Sequence, residues 1–192
     1  MSNPSSTSRR GYFEIGIYQP KTAVNVGTLW RSAFQLGAAG IFTIGRRFPQ
    51  QASDTVKAYR HVPMREFDAF DDFYRQIPTG ARLVGIEMGG KPLGEAVHPD
   101  AAIYLLGAED KGLPYEVKKR CHQLISLEAD RSESYNVAVA GSLVLYHRQF
   151  LAGRGRGITG KAAPSLTERG GLSLVTANGG SADSPFSLAG NG

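Results

Sequence analysis

The stretch FEIGIYQPKTAVNVGTLWRSAFQLGAAGIFTI, residues 13–44, contains a complete strand–helix–strand pattern. Its first six residues predict a buried strand, and Pro20 must lie in a loop because proline has no N–H to donate to a ladder. From Asn25 the apolar side chains recur at the spacing of one helical face, and Gly37 predicts the end of that helix. GIFTI, residues 40–44, predicts the second strand. Such a unit is the building block of a parallel sheet.

The rest of the chain extends this pattern. Strands are predicted at residues 83–88, 103–106 and 124–127, and helices at about 53–59, at 68–77 with Asp68 as cap, and from Pro114. The helix predicted at residues 136–151 is apolar almost all round in its first half, so it must be covered by its own domain or by a second subunit. We therefore predict an α/β fold with a mostly parallel sheet and helices on both faces.

The length of 192 residues is enough for one sizeable core, and we expect a single domain at residues 11–152. Residues 1–10 are Ser-rich and predict a flexible N-terminus. Residues 153–192 are rich in Gly and Ser with little apolar periodicity, and predict a disordered tail.

Charge and composition narrow the class of protein. Lys and Arg number 22 against 17 Asp and Glu, which gives a net charge of +5 and suits a polyanionic partner, although a plain solvated surface has the same balance. Cys121 is the single cysteine, so no internal disulfide can form, and the four histidines lack metal-ligand spacing. No run approaches the roughly 20 apolar residues of a membrane helix, and no secretory signal is evident. We expect a cytoplasmic protein without a metal.

Three segments place polar residues and glycines where a predicted strand ends or a helix begins, which is where open α/β sheets bind ligands. They are Asn25-Val-Gly-Thr-Leu-Trp-Arg31, then Leu-Leu-Gly-Ala-Glu-Asp-Lys-Gly-Leu-Pro at residues 105–114, and Ser-Tyr-Asn-Val-Ala-Val-Ala-Gly-Ser-Leu at residues 134–143. Taken singly, each has a structural explanation: Asn25 and Asn136 as helix caps, Arg31 as a surface charge, and Gly112 as a left-handed turn.

Taken together, the order and spacing of the three segments resemble the three motifs of the TrmH-type (SpoU) branch of the SPOUT RNA methyltransferases, over about residues 13–152. The resemblance implies a deep trefoil knot near the C-terminus, a homodimer and S-adenosylmethionine as methyl donor. Two positions depart from the usual pattern, Tyr135 and Ala138. We expect these departures to affect the shape of the pocket and the choice of substrate more than the activity itself.

The resemblance also implies site residues. The donor would be bound by Ile86, Gly107, Leu127, Ser134 and Asn136, and the catalytic group would be Arg31, Asn25, Glu109, Ser134 and Asn136. Arg31 is expected to orient the phosphate and ribose of the target nucleotide, since an arginine side chain forks onto phosphate and stays protonated at neutral pH. Candidate RNA contacts on nearby loops are Arg46, Arg47, Lys57, Arg60 and Lys111.

The expected activity is methylation of an RNA ribose 2′-hydroxyl, in tRNA or rRNA. Two alternatives stay open: an RNA-binding protein of the same fold that has lost catalysis, and an enzyme that methylates a base nitrogen. The sequence resembles the catalytic domain alone, as in some tRNA enzymes of this family, and this favours tRNA as the substrate.

Overall fold

A computed structural model describes residues 11–47, 61–131 and 134–152 of the chain. The predicted helix near residues 53–59, the N-terminal ten residues and the tail from residue 153 lie outside the described residues.

Strands and helices alternate along the described chain. The strands are β1 (Phe13–Tyr18), β2 (Gly40–Ile44), β3 (Met64–Phe67), β4 (Arg82–Pro92), β5 (Ala102–Leu106) and β6 (Gln123–Ser126). The helices are α1 (Ala23–Leu36), α2 (Phe70–Arg75), α3 (Tyr115–Lys119) and α4 (Val137–Tyr146), with a 3-10 turn at Leu93–Glu95 and a π-helical turn at His147–Leu151.

The described strands form one six-stranded sheet in the order β3-β2-β1-β5-β4-β6, and every strand pair in it is parallel. The α/β architecture with a parallel sheet is therefore confirmed. The carboxyl ends of all these strands meet at one edge, so the segments that follow them come together there. The trefoil knot stays a prediction.

Two apolar cores lie on opposite faces of the sheet. Side chains alternate along each strand, so Tyr104 faces one core and Ile103 and Leu105 the other. The first core contains apolar residues of α1 and α4, and the second contains Phe73 of α2 and Val117 of α3. Helices thus cover both faces, as predicted.

The ends of the early helices differ from the prediction. α1 begins two residues before Asn25, and Thr22 is its cap, with Oγ1 accepting from the Asn25 amide at 3.4 Å. Gly37 ends it in the left-handed conformation, φ 78°, as predicted. The prediction of Asp68 as the cap of α2 is wrong: the cap is Ala69, which makes no side-chain bond.

Strand β4 extends well past its predicted end at residue 88 because it pairs with β6 twice. Ile86 and Lys91 both pair with Ile125, which leaves residues 87–90 as a bulge between the two paired segments. The bulge is held closely: Ser126 Oγ donates to the Gly90 carbonyl at 2.9 Å, and a Cβ atom at Gly90 would lie 2.7 Å from the Leu124 carbonyl carbon.

The last helix has one buried and one exposed face, and both are apolar. Ala138, Val144 and Leu145 are buried in the first core. The opposite face and the π-helical turn expose a stripe that we call the α4 stripe: Val139, Leu143, Tyr146, Phe150 and Leu151. In the part of the chain that the structure describes, no helix combines the length and the apolarity that crossing a membrane requires.

A polar cluster fixes the end of this helix. His147 Nδ1 lies 2.8 Å from His98 Nε2, and His98 Nδ1 lies 2.5 Å from the Tyr104 hydroxyl. Arg148 donates to the carbonyl oxygens of Pro99 and Asp100, at 2.7 and 3.0 Å. These contacts join the π-helical turn to the segment before β5.

Candidate active site

A cleft of about 530 Å³ opens at the carboxyl edge of the sheet, in the size range typical of small-molecule sites. Three walls surround it: the end of β4 with its bulge, the turn after β5, and the segment from β6 to the start of α4. The residues that line it are Ile86, Glu87, Met88, Leu106, Gly107, Ala108, Glu109, Asp110, Lys111, Gly112, Leu127, Ala129, Arg131, Ser134, Tyr135, Val137 and Ala140.

The turn after β5 is tightly folded. Ala108 and Gly112 exchange two backbone hydrogen bonds, of 2.9 and 3.2 Å, and Gly112 takes the left-handed conformation, φ 63°. A Cβ atom at Gly107 would lie 2.4 Å from the Gly112 carbonyl carbon, so no larger residue fits without moving the turn. The glycine pattern of the sequence is therefore required by this close backbone approach.

Glu87 joins two walls of the cleft. Its side chain comes from the β4 bulge, and Oε2 accepts a hydrogen bond from the Leu113 amide at 2.6 Å. The same carboxylate leaves no room for a side chain at Gly112, since a Cβ atom there would lie 2.7 Å from it. Glu87 was not predicted from the sequence; the available signal was a carboxylate inside the apolar run that predicts the strand at residues 83–88.

A chain of amide and carboxylate contacts lies beside the cleft. Asn25 Nδ2 donates to Glu109 Oε1 at 2.8 Å, and Asn136 Nδ2 donates to Asn25 Oδ1 at 3.1 Å. Asn136 also caps α4, because its Oδ1 accepts from the amides of Ala138 and Val139 at 2.9 and 3.3 Å. Each of the three predicted motifs contributes one member, although they are 84 and 111 residues apart.

A cluster of four charged side chains continues from Glu109. Arg47 donates to both carboxylate oxygens of Asp110, at 3.0 and 3.3 Å, and Lys21 Nζ lies 2.9 Å from Asp110. Arg47 also lies 3.8 Å from Glu109. Hydrogen bonds from Arg47 and Lys21 hold the pKa of Asp110 well below its usual range, and the bond to Asp110 raises the pKa of Arg47.

The structure brings most of the predicted site together. The residues that line the cleft include Ile86, Gly107, Glu109, Leu127 and Ser134. Asn136 does not line it, but is connected to Glu109 by hydrogen bonds through Asn25. Tyr135 also lines it, with its hydroxyl donating to the Glu128 carbonyl at 3.0 Å, while Ala138 is buried beneath.

Arg31 is not among the residues that line the cleft. It is exposed on α1, and within the described residues it makes no hydrogen bond or ion pair. Its helix packs against α4, where Ser142 Oγ donates to Ser32 Oγ at 2.7 Å.

The candidate RNA contacts are distributed differently. Lys111 is exposed and lines the cleft. Arg46 pairs with Glu66 at 2.6 Å and Arg47 pairs with Asp110, while Lys57 and Arg60 lie outside the described residues. Arg131, which sequence analysis did not consider, also lines the cleft. Among the described residues, no three potential metal-binding side chains come together.

Fold and cleft define a class: an open, parallel α/β protein with a small-molecule site at the carboxyl edge of its sheet and a polar network beside it. Residues 12–146 match the SpoU rRNA Methylase family. The chain belongs to this family.

Individual relatives agree with this assignment. The chain is 29% identical over 131 residues to an uncharacterized tRNA/rRNA methyltransferase of Mycobacterium bovis, which covers 63% of this chain and 40% of the relative. A counterpart from Archaeoglobus fulgidus is 27% identical over 128 residues, covering 64% of this chain and 57% of that protein. The chain thus spans about half the length of these relatives or less.

Solved structures show the same fold. A structure that concerns 2-OH methylation of C/U34 on tRNA is 28% identical with a TM-score of 0.65, and the match covers 72% of this chain and 95% of that one. An AdoMet-bound rRNA methyltransferase from Sinorhizobium meliloti is 25% identical with a TM-score of 0.63, and covers 72% and 56%.

Proposed function

We propose that this chain binds S-adenosylmethionine in the cleft and transfers its methyl group to RNA, with a ribose 2′-hydroxyl as acceptor. The observation that carries the proposal is the convergence of three distant segments at one edge of the sheet, where Asn25, Glu109 and Asn136 are joined by hydrogen bonds. The family membership and the AdoMet-bound S. meliloti relative support the choice of donor.

The lining of the cleft fits such a donor. Ile86, Leu106 and Leu127 offer apolar surface for a purine ring, and the close packing at Gly107 puts backbone amides and carbonyls next to it. Carboxylates at Glu87 and Glu109 suit a ligand that carries positive charge on sulfur and on its amino group. When bound, the donor supplies a methyl group attached to a positively charged sulfur.

The residues of the chain then have to position the acceptor. Arg31 would hold the phosphate beside the target ribose, since a guanidinium presents parallel N–H groups to phosphate oxygens. Asn25 and Glu109, fixed by their mutual hydrogen bond, would orient the hydroxyl for in-line attack while its proton leaves to solvent. Such alignment supplies much of the rate acceleration, about 7 to 11 kcal/mol in favourable intramolecular reactions.

RNA and a second subunit complete the proposal. Lys111 and Arg31 are the proposed phosphate contacts, and Arg46 remains a candidate. The α4 stripe supports a homodimer, because apolar side chains of this size are seldom left in a contiguous exposed row. In this dimer the partner subunit would bring its arginine at position 31 to the cleft. We propose tRNA as the substrate, on the strength of the tRNA-related structural neighbour. We propose the cytoplasm as the location, as expected from the sequence.

Calorimetric titration with S-adenosylmethionine, followed by incubation with tRNA and with rRNA and nucleoside analysis by mass spectrometry, tests the proposal. We expect saturable donor binding and a 2′-O-methylated nucleoside. A methylated base would instead identify a base-nitrogen enzyme, and RNA binding without donor binding would identify a non-catalytic protein.

A glycine substitution tests whether the donor binds in the cleft. Gly107→Ala should abolish donor binding because its Cβ atom would displace the turn after β5. Gly94→Ala is the matched control, since its Cβ atom would meet only the flexible carboxylate of Glu128, at 3.1 Å. Equal donor binding by both variants would contradict the location.

A further inference from the structure

Arg47 lies where the loops after β1 and β2 meet the turn after β5. Its Nε donates to the Gln19 carbonyl at 2.8 Å, and its two Nη groups donate to Asp110. Its backbone amide donates to the Pro20 carbonyl at 3.1 Å. Three of the five N–H groups of the guanidinium are therefore committed to protein acceptors.

The backbone of the β1 loop is shaped for this contact. Gln19 takes the left-handed conformation, φ 47°, which is uncommon for a residue other than glycine. Its amide donates to the Ile44 carbonyl at 2.6 Å at the end of β2, while its own carbonyl accepts from Arg47. The two loops are thus joined through both polar groups of one peptide segment.

Charge balance explains why a cation is needed here. Glu109 and Asp110 are adjacent in sequence, and both carboxylates point into a small region where their side chains are only 18% and 33% exposed. Like charges in partial shelter from solvent repel more strongly than on an open surface. Lys21 and Arg47 supply two positive charges, and the Lys21 amide also donates to Glu109 Oε2 at 3.2 Å.

The cluster is continuous with the polar network of the cleft. Arg47 and Asp110 fix the turn that carries Glu109, and Glu109 in turn receives the hydrogen bond from Asn25 Nδ2. That bond leaves Asn25 Oδ1 to accept from Asn136. A change at Arg47 can therefore alter the orientation of Asn136 through three intervening residues.

We propose that Arg47 is a positioning residue: paired with Asp110, it holds Glu109, Asn25 and Asn136 in the arrangement that methyl transfer uses, and it does not bind RNA phosphate. This assignment differs from the sequence-based expectation of an RNA contact. The expected effect on kcat rests on the proposed function. The expected effect on the positions of Asn25 and Asn136 rests on the hydrogen-bond geometry alone.

The kinetic test compares Arg47→Gln, Asp110→Asn, the double variant and Arg47→Lys with the wild type. Each single variant should lower kcat by up to about 100-fold, since small misplacements of catalytic groups have effects of this order. The double variant should be no worse than the poorer single one, because both remove the same pair. Arg47→Lys should recover part of the rate, as lysine keeps one bond to Asp110 but not the fork.

A salt titration separates positioning from phosphate binding. The slope of log Kd for RNA against log salt concentration should be the same in Arg47→Gln and in the wild type. Loss of a phosphate contact would instead reduce the slope by about 0.7 to 0.9 and would overturn the proposal. Arg82→Gln, at an exposed arginine that begins β4 on the opposite edge of the sheet, is the control and should match the wild type in kcat.

A third measurement needs neither donor nor RNA. In 15N-labelled protein, the side-chain amide signals of Asn25 and Asn136 should shift in Arg47→Gln and Asp110→Asn and stay in place in Arg82→Gln. Unshifted signals in the first two variants would refute the positioning role. If the wild type methylates no RNA, the proposed function fails, and these signals alone then decide the role of Arg47.

Discussion

Arg31 is exposed on α1 and makes no hydrogen bond or ion pair with any residue that the structure describes. Its removal should therefore change the free energy of unfolding by no more than about 0.5 kcal/mol, as is usual for such surface positions. We expect Arg31→Ala to abolish methylation and to leave donor binding nearly intact, as measured by nucleoside analysis, calorimetry and thermal melting. A large drop in melting temperature would identify a structural residue instead.

The sequence predicted individual members of the site better than their contacts. Motif spacing indicated Asn25, Glu109 and Asn136, and their position at strand and helix ends made convergence the expected outcome. It could not show that Asp110 pairs with Arg47, 63 residues away, because that pairing depends on the paths of two loops. A positive charge on a loop near the motifs made Arg47 a candidate for phosphate, and only the structure shows that its guanidinium already donates to Gln19 and Asp110.

At the scale of the element, Asn136 has two separable roles. It caps α4, and its side-chain amide donates a hydrogen bond to Asn25. Asn136→Asp keeps the capping oxygen and suits a helix N-terminus, so its melting temperature should match the wild type while methylation falls. Asn136→Ala removes both roles and should also cost about 1 kcal/mol of stability. Full activity in Asn136→Asp would show that methylation does not need the hydrogen bond from Asn136 to Asn25.

The π-helical turn gives the protein an expected sensitivity to acid. Burial, followed by the nearby His147 and Arg148, lowers the pKa of His98 to about 4 from 6.5. Burial also lowers the pKa of His147, and the charge of Glu128 opposes that shift. A histidine with a lower pKa in the folded state binds a proton more readily when the protein is unfolded. The contribution of His98 to the free energy of unfolding is therefore complete above about pH 6.5 and declines as the pH falls towards 4.

Melting temperatures measured between pH 7 and pH 4.5 test this. The wild type should lose more stability over the range than His98→Gln, because the variant lacks the group that unfolding protonates. His61→Gln, at an exposed histidine whose ring stacks on Phe34, is the control and should follow the wild type. Identical curves for all three proteins would contradict the prediction.

The ends of strands were predicted correctly where the local sequence determines them. They were missed where pairing with another strand determines them. The bounds of β1 and β2 agree with the prediction because apolar runs end at Pro20 and Gly45. Strand β3 was missed, since MREF contains only two apolar residues and pairs with β2 alone at the edge of the sheet. The length of β4 was underestimated because its final residues are held by β6 rather than by their own apolar character.

For the whole molecule, the α4 stripe predicts self-association. Leu143 and Tyr146 are 39% and 50% exposed on the same face, so a charge placed between them would be buried in any dimer formed there. We expect the wild type to sediment as a dimer and Leu143→Glu as a monomer in analytical ultracentrifugation. Val97→Glu, at an exposed residue outside the stripe, should remain dimeric; a monomeric wild type would contradict the prediction.

The order of the strands lay beyond the reach of sequence patterns. Periodicity indicates which residues are buried, yet it does not say that β1 pairs with β5 or that β4 lies between β5 and β6. Composition and motifs together were sufficient for the parallel class and for the edge that carries the cleft. The relative placement of distant strands depends on packing between elements that no local window contains.

The double pairing of β4 with β6 also affects how a ligand can enter. Residues 87–90 are tied down before and after, at Ile86 and at Lys91, so this side of the opening behaves as a fixed rim. Hydrogen exchange should accordingly be slow at Ile86, whether or not a ligand is bound. Access must then be controlled from another side of the opening.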